Sequence, residues 1–378
     1  MMHVAICSDG VFPEKIGGMQ RHTRLLAETL ARLHPELRIT VIHTHPGKAL
    51  FRGIPNIEEA TVAPRPGRRQ YLIECLELST RFADVLRTLP DAIVYSQGLC
   101  VVRGIRSFEG RLVVNPHGLE LFQTARVIDW AKGVPFRMVQ RHTFRHATHV
   151  VSLGGRLTDI LTRETKGCPG KVATLPNGVR VPAAASVGGR VRDQRAPVKL
   201  IFVGRLARNK GVADLLQAMT IIRELGREGH VELDIVGGGP MLQELRQLAC
   251  GLRVTFHEDV SDSTLEDLYR TADVLVLPTL FEGMPTVVLE AMARALPVLV
   301  TDVGATRELV DESNGAIIPK RDAQGIARAI LRMVDLGPDA RRRMGEAGQA
   351  KVDARFTWER VAESHHALFK SMATRNPS

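Results

Sequence analysis

Aromatic residues are scarce, with Phe, Trp and Tyr making up 4% of 378 residues. That scarcity, with no helix-turn-helix or zinc-finger spacing, leaves out the stacking platforms and base-reading modules that hold nucleic acid. Cys7, Cys75, Cys100, Cys168 and Cys250 are scattered and never form C-x-x-C. Neither a disulfide framework nor a zinc site is expected, and a reducing compartment is. No apolar run approaches the roughly 18 residues needed to cross a bilayer. The opening MMHVAICSDG has a short apolar patch broken at Ser8 and Asp9, and reads as a first strand rather than a signal peptide. Also absent is a full G-x-G-x-x-G with a following acidic residue, which argues against NAD.

What is present is length enough for two domains and a charge imbalance confined to one of them. Residues 1–180 carry 25 Lys and Arg against 15 Asp and Glu, whereas the remainder carries 26 against 26. The basic half reads either as a solubilising face or as a surface for something anionic, a phosphate-bearing acceptor or acidic lipid. Arg68, Arg69, Arg103, Arg106, Arg137 and Arg141 are the candidate contributors.

Short β-branched runs alternate with amphipathic ones. Strands are expected at 3–7, 38–44, AIVYS, RLVVN, THVVSL and KVATLP, with a helix over 18–33. PAAASVGGRVRDQRAP, 182–197, has no period and reads as a linker. The pattern restarts at VKLIFVG, 198–204, with helices expected over 210–226 and 240–250 and three more after residue 322. The expectation is an α/β chain with two doubly wound, Rossmann-like domains, 1–181 and 198–356, facing a central cleft. A last helix, 357–378, is expected to cross back to the first domain.

Chemistry-bearing residues fall at the carboxyl ends of these strands. VGRLARNKG, 203–211, brings Arg205 and Lys210 just past Gly204, where an open α/β sheet receives anions. Arginine offers a two-pronged fork and lysine a mobile point charge. IVGGGPM, 235–241, is a weaker signal, since such glycines often serve only the turn. Gly17 and Gly18 open the first helix, where they serve either a structural turn or close approach of a ligand to free N–H groups. NPHG, 115–118, ends a strand and aims His117 at the same region. In PTLFEGMPTVVLEAMARALPVLV, 278–300, Glu282 lies in a loop, beside Gly283 and Met284. Pro285 suits the first turn of the following helix, which leaves the N–H groups of Thr286 and Val287 for a phosphate. Glu290 follows inside that helix, a second acceptor for sugar or ribose hydroxyls.

These residues resemble the retaining glycosyltransferases of family four, whose two-Rossmann-domain architecture is called GT-B. The similarity rests on the E-x7-E pair Glu282 and Glu290, on VGRLARNKG, on LPNGV at 175–179, on the Gly17-Gly18 turn and on His117-Gly118, in that family's order. It implies transfer of a hexosyl unit from a nucleoside-diphosphate sugar, UDP-linked ahead of GDP-linked, to a saccharide or lipid-linked acceptor. Arg205 and Lys210 would hold the diphosphate, Glu290 the ribose, and Glu282 hydroxyls of the donor sugar, with His117 approaching that sugar. Gly17, Gly18, Gly204, Gly283, Met284, Pro285, Thr286 and Val287 would complete the donor site. No cofactor and no metal are implied, in keeping with the absence of any Asp-x-Asp. Retention would proceed by front-face substitution, the departing phosphate taking the acceptor's proton. The partners implied are the donor, the acceptor and an anionic membrane surface but not nucleic acid, with a cytoplasmic location at the inner face of the membrane. Two departures stand out: Glu258 where a glycine near the base is common, and Ala305 where a second glycine is usual. Rival readings are a nucleotide-sugar epimerase and a non-catalytic nucleotide-sugar binder.

Overall fold

The computed structural model describes residues 1–63, 71–123, 127–182 and 196–375, and the chain divides into two compact units. One comprises Met1–Gly178 together with the final helix from Trp358, and the other Val179–Thr357. The expected linker lies for the most part outside the described residues, as do Arg68 and Arg69.

The first unit runs β1 (His3–Cys7), α1 (Gly18–Leu33), β2 (Arg38–His43), β3 (Ile57–Thr61), α2 (Tyr71–Arg87), β4 (Ile93–Gln97), β5 (Leu112–Asn115), α3 (Glu120–Gln123), α4 (Val127–Lys132), α5 (Val134–His146), β6 (His149–Ser152), α6 (Arg156–Glu164) and β7 (Val172–Thr174). Its seven strands are parallel in the order β3-β2-β1-β4-β5-β6-β7. β1, β4, β5 and β6 are buried at every position, because helices cover both faces. α1 buries His22, Thr23, Leu26, Ala27 and Leu30 at helical spacing and ends at His34, just before Pro35.

The second unit runs β8 (Val198–Val203), α7 (Val212–Glu224), β9 (Val231–Val236), α8 (Leu242–Leu248), β10 (Val254–His257), α9 (Asp262–Thr271), β11 (Val274–Leu277), α10 (Thr286–Met292), β12 (Val298–Thr301), α11 (Thr306–Leu309), β13 (Gly315–Ile318), α12 (Ala323–Asp335) and α13 (Gly337–Arg355). Six parallel strands take the order β10-β9-β8-β11-β12-β13. Side-chain caps set some helix starts: Ser261 Oγ accepts from Thr264 N–H at 3.1 Å, and Asp322 Oδ1 from Gly325 N–H at 2.8 Å. The last helix, α14 (Trp358–Arg375), packs on α1 and buries Trp358, Val361, Ala362, Phe369 and Met372 in the first unit's core. A Cβ on Gly178 would lie 2.7 Å from the Trp358 ring, so only glycine lets that ring settle there. Among the described residues no helix is long and apolar enough to cross a membrane.

In each sheet the strand order reverses once, between β1 and β4 and between β8 and β11. At such a switch point the loops leave in opposite directions and open a crevice at the strands' carboxyl ends.

Candidate active site

In the second unit the loops after β8 and β11 meet at the switch point. Gly211, at φ +68°, starts α7 two residues later than the sequence suggests and leaves Lys210 in a short 3-10 turn, Arg208–Lys210. A Cβ on Gly211 would sit 2.1 Å from the Pro278 carbonyl oxygen, so glycine is what allows the two loops to touch. Leu280 N–H donates to the Asn209 carbonyl at 2.8 Å, and the Thr279 hydroxyl donates to it at 3.1 Å. The result is an ion pair: Lys210 Nζ lies 2.5 Å from Glu282 Oε1, with both side chains about one-fifth exposed, at 22% and 16%. Arg205 stands exposed on the same loop, without an ion-pair partner among the described residues.

The β12 side supports this loop from behind. Ala305 N–H donates to the Gly283 carbonyl at 2.8 Å, and the Thr301 hydroxyl donates to the Thr279 carbonyl. Gly304, at φ +50°, lies so close that a Cβ would be 2.1 Å from the Gly283 oxygen and 2.3 Å from that of Glu282. On the β8 side, Gly237 approaches the Gly204 carbonyl and Gly239 that of Leu206, where Cβ atoms would come within 2.2 and 2.4 Å. The glycine run at 237–239 therefore packs two loops together, the structural reading of that motif.

Pro285 occupies the capping position of α10 rather than its first turn, with φ −71° and ψ 112°. Both Met284 and Pro285 are buried, and proline has no N–H to offer, so Pro285 sets the helix start and presents no group to a ligand. Thr286 and Val287 open the helix with N–H groups that have no intrahelical acceptor. Glu290 is half-buried, and its Oε2 accepts from the Tyr269 hydroxyl at 3.1 Å. Tyr269 is buried beneath the Arg294 guanidinium, 4.8 Å from the ring centre, and burial pushes its phenol well above the ordinary range, so the OH remains a donor. Tyr269→Phe is expected to cost about 1 kcal/mol of stability and to weaken nucleotide binding severalfold, as read by calorimetry, because Glu290 loses the bond that orients it. Glu258 forms an ion pair with Arg246 at 2.5 Å.

In the first unit, Gly17 is extended at φ 166°, and its missing Cβ leaves room for the Gln20 amide. Gly18 faces open space, with nothing within 4 Å of an added Cβ. His117 follows β5 at φ +58°. Its Nε2 lies 2.7 Å from Gln97 Oε1, and its N–H donates to Asn115 Oδ1 at 2.9 Å. Gln97 in turn donates to Thr23 Oγ1 at 2.7 Å, while Asn115 donates to the Tyr95 hydroxyl at 2.8 Å. Tyr95 meets His365 Nε2 of α14 at 3.1 Å. Burial pulls His117 down to about 3, so the ring is neutral, with Nε2–H donating to Gln97 and Nδ1 left as an acceptor. Neither Gln97 nor this chain through Tyr95 and His365 has a spacing signal in the sequence; three-dimensional packing alone assembles it.

His22 and His365, 3% and 0% exposed, are likewise held neutral, His22 by burial with His117 and His365 nearby, His365 by burial to about 4. In unfolded chains both titrate near 6.5. Because the folded values are depressed, their full contribution to stability is present above that value and is lost as pH falls toward the folded one. From pH 7.5 to pH 5 His365 is expected to cost about 2 kcal/mol, with His22 adding to the loss in the same direction. Urea unfolding at the two pH values, with His365→Gln showing the smaller drop, checks this.

The basic surface is smaller than the sequence suggests. Arg137 is buried, donating to the carbonyls of Leu121 and Trp130 and lying 4.4 Å from the Trp130 ring centre. Arg141 pairs with Glu164 at 2.6 Å. Arg137 serves α5 packing and Arg141, though exposed, is neutralised by its ion pair, so of the six named arginines Arg103 and Arg106 remain as exposed cations without an ion-pair partner among the described residues.

Comparison with known proteins bears on the family and the fold. The family model "Glycosyltransferase Family 4" matches residues 16–181, and "Glycosyl transferases group 1" matches 197–335. An uncharacterized glycosyltransferase of Methanocaldococcus jannaschii is 33% identical over 178 residues, 45% of this chain and 44% of its own length. A GDP-mannose-dependent alpha-(1-6)-phosphatidylinositol monomannoside mannosyltransferase of Mycobacterium tuberculosis is 30% identical over 271 residues, 67% of each chain. Sucrose-phosphate synthase from Thermosynechococcus elongatus superposes with TM-score 0.81 at 21% identity, over 100% of both chains. The chain belongs to glycosyltransferase family four and has the GT-B fold.

Proposed function

We propose that this protein is a retaining glycosyltransferase. It moves a hexosyl unit from a nucleoside-diphosphate sugar to a saccharide or lipid-linked acceptor in cell-surface polysaccharide or glycolipid synthesis. The observation that carries the reading is the Lys210–Glu282 pair held beside the exposed Arg205 at the β8/β11 switch point. Cleavage of the bond from sugar C1 to the diphosphate builds negative charge on the leaving oxygen. Arg205, Lys210 and the first N–H groups of α10 are the cations and dipoles that would stabilise it without a metal. A new bond from C1 to the acceptor oxygen forms on the same face, and the acceptor's proton passes to the leaving phosphate. Glu282 would bind sugar hydroxyls and Glu290 the ribose, while in the first unit the neutral His117 offers Nδ1 as an acceptor for a sugar hydroxyl. Family membership, shared with the mannosyltransferase, supports sugar transfer as the reaction class.

Calorimetric titration with UDP, GDP and ADP in the presence of a chelator tests the donor side. One nucleotide is expected to bind, and Arg205→Ala to weaken it; binding that needs a divalent ion overturns metal independence. UDP ranks first on the sequence reading, and a mycobacterial relative named as GDP-mannose-dependent supports testing GDP alongside it. Donor conversion without acceptor would favour an epimerase, and binding without turnover an idle binder. A peripheral membrane location now rests on Arg103, Arg106 and the net charge of the first 180 residues. Sedimentation with anionic liposomes is expected to fall with salt, and binding indifferent to both lipid charge and salt removes that part of the reading.

A further inference from the structure

The turn from α1 into β2 meets α14 on the edge of the first unit opposite the strand carboxyl ends. α1 starts near those ends at Gly18 and delivers His34 about 24 Å further on, at a rise of about 1.5 Å per residue. Asn56 Nδ2 holds the turn, donating to the carbonyls of Ala31, His34 and Leu37 at 3.2, 3.3 and 3.1 Å. From α14 come Glu363 and His366, three residues apart and so on one face of the helix. Helix bundles present metal ligands with that same Glu-x-x-His spacing.

The surroundings of His34 call for a cation. Among the described residues its buried Nε2 makes no hydrogen bond, yet it lies 3.3 Å from Glu363 Oε1, and its Nδ1 lies 3.5 Å from Glu36 Oε1. With the proton on Nδ1, the Nε2 lone pair faces a carboxylate oxygen, two acceptors with nothing between them. Tetrahedral zinc, with bonds of about 2.0–2.2 Å to nitrogen and oxygen, sets its ligand atoms about 3.4 Å apart, close to the separation here. Glu36 then stands behind the ring, where a carboxylate fixes the tautomer of a metal-bound histidine. Candidate ligand atoms of His34, Glu363 and His366 all lie within 4.8 Å of one another. The two imidazoles stack at 3.6 Å with planes 18° apart, so His366, the partly exposed ring on the helix, turns about χ2 to bring its lone pair onto the same ion.

Neighbouring charges leave room for it. Neither Glu36 nor Glu363 pairs with a lysine or arginine among the described residues. Arg32 is taken by Glu359 at 2.5 Å, and Lys370, one turn beyond His366, is exposed and free to point into solvent. Two imidazoles with one carboxylate suit a zinc-class ion rather than calcium or magnesium, which take oxygen.

From this cluster we infer that the first unit carries a zinc site, formed by His34, Glu363 and His366 with solvent as the fourth ligand, that fastens α14 to the end of α1. Scattered cysteines argue against a thiolate site and are silent on this one, whose ligands are nitrogen and oxygen. The ion takes no part in sugar transfer, and the site stands whether or not the donor reading does.

Calorimetric titration of chelator-treated, full-length protein with zinc chloride, with thermal unfolding of the same samples, tests this. One equivalent is expected to bind, and the melting temperature to rise with zinc concentration. Glu363→Gln and His366→Gln, at an exposed and a partly exposed position, are each expected to weaken binding more than about tenfold and to lose the melting shift. Circular dichroism checks that each variant folds. His142→Gln is the control, because His142 and His146 form another histidine pair one turn apart on α5, and it is expected to change nothing. No stoichiometric zinc binding, the result if a second proton on His34 answers the two carboxylates instead, overturns the inference. So does binding that survives in both α14 variants, binding lost in His142→Gln, or binding that leaves the melting temperature unchanged.

Discussion

Lys210→Met is expected to lower kcat/KM for sugar transfer by roughly 10²- to 10³-fold, the size of loss seen when one preorganised donor to a developing oxyanion is removed. The reason is local. Lys210 is held by the 3-10 turn before Gly211 and by Glu282 at 2.5 Å, so its charge is positioned before the donor arrives. The substitution also leaves Glu282, 16% exposed, without its cation, at a cost of about 1–3 kcal/mol in stability. Glu282→Gln should likewise lose transfer, yet keep nucleotide binding, since it retains Lys210 and Arg205. Because the two side chains act as one unit, the double variant is expected to lose less than the sum of the singles. Steady-state kinetics of the three variants with calorimetry on the same preparations decide it. Near-full turnover in Glu282→Gln would sink that residue's role, and additive losses would show that the pair does not act jointly.

Gly304→Ala is expected to disturb the site as strongly although residue 304 offers no side chain to a ligand. Its Cβ would fall 2.1 Å from the Gly283 carbonyl oxygen and 2.3 Å from that of Glu282, and the φ of +50° is itself unfavourable for alanine. Residue strain of this kind costs about 1–3 kcal/mol. That corresponds to a melting shift of roughly 2–4 °C per kcal/mol for a unit of this size. Relief requires the 282–285 loop to move outward, which carries Glu282 off Lys210 and shifts the start of α10. Nucleotide affinity and transfer should therefore both fall more than tenfold, a loss of more than about 1.4 kcal/mol. The control is Ala305→Gly, at a buried neighbour with φ −100°. It is expected to cost about 1 kcal/mol while leaving nucleotide binding intact. Equal behaviour of the two variants would show that the close packing at 304 does not position the loop.

Much of the sheet is legible from composition alone, because fully buried parallel strands leave continuous runs such as VAIC and VLVL. β3 is the exception. Its IEEAT pattern reads as surface, yet Glu59 meets His43 Nε2 at 3.0 Å and the N–H groups of Leu50 and Phe51 at 2.9 and 3.0 Å. Those partners lie in other segments, so no local pattern announces them. Arg137 misleads in the opposite direction, a formal surface charge that two carbonyls and the Trp130 ring hold inside. Pro285 misleads by one position for a smaller reason, since proline suits both the cap it occupies and the first turn that the sequence suggests.

By itself the sequence determined the alternation of strand and helix, the position of cations and carboxylates just past particular strands, and the uneven charge of the two halves. These are properties of neighbouring residues, and periodicity and spacing record them directly. Only the tertiary structure decided that Lys210 pairs with Glu282, that Tyr269 orients Glu290, and that His117 hangs on a chain of hydrogen bonds reaching His365. Each of these joins residues far apart in the chain, and the joining depends on backbone approach at Gly211, Gly304 and Gly178, where there is no side chain to keep the segments apart.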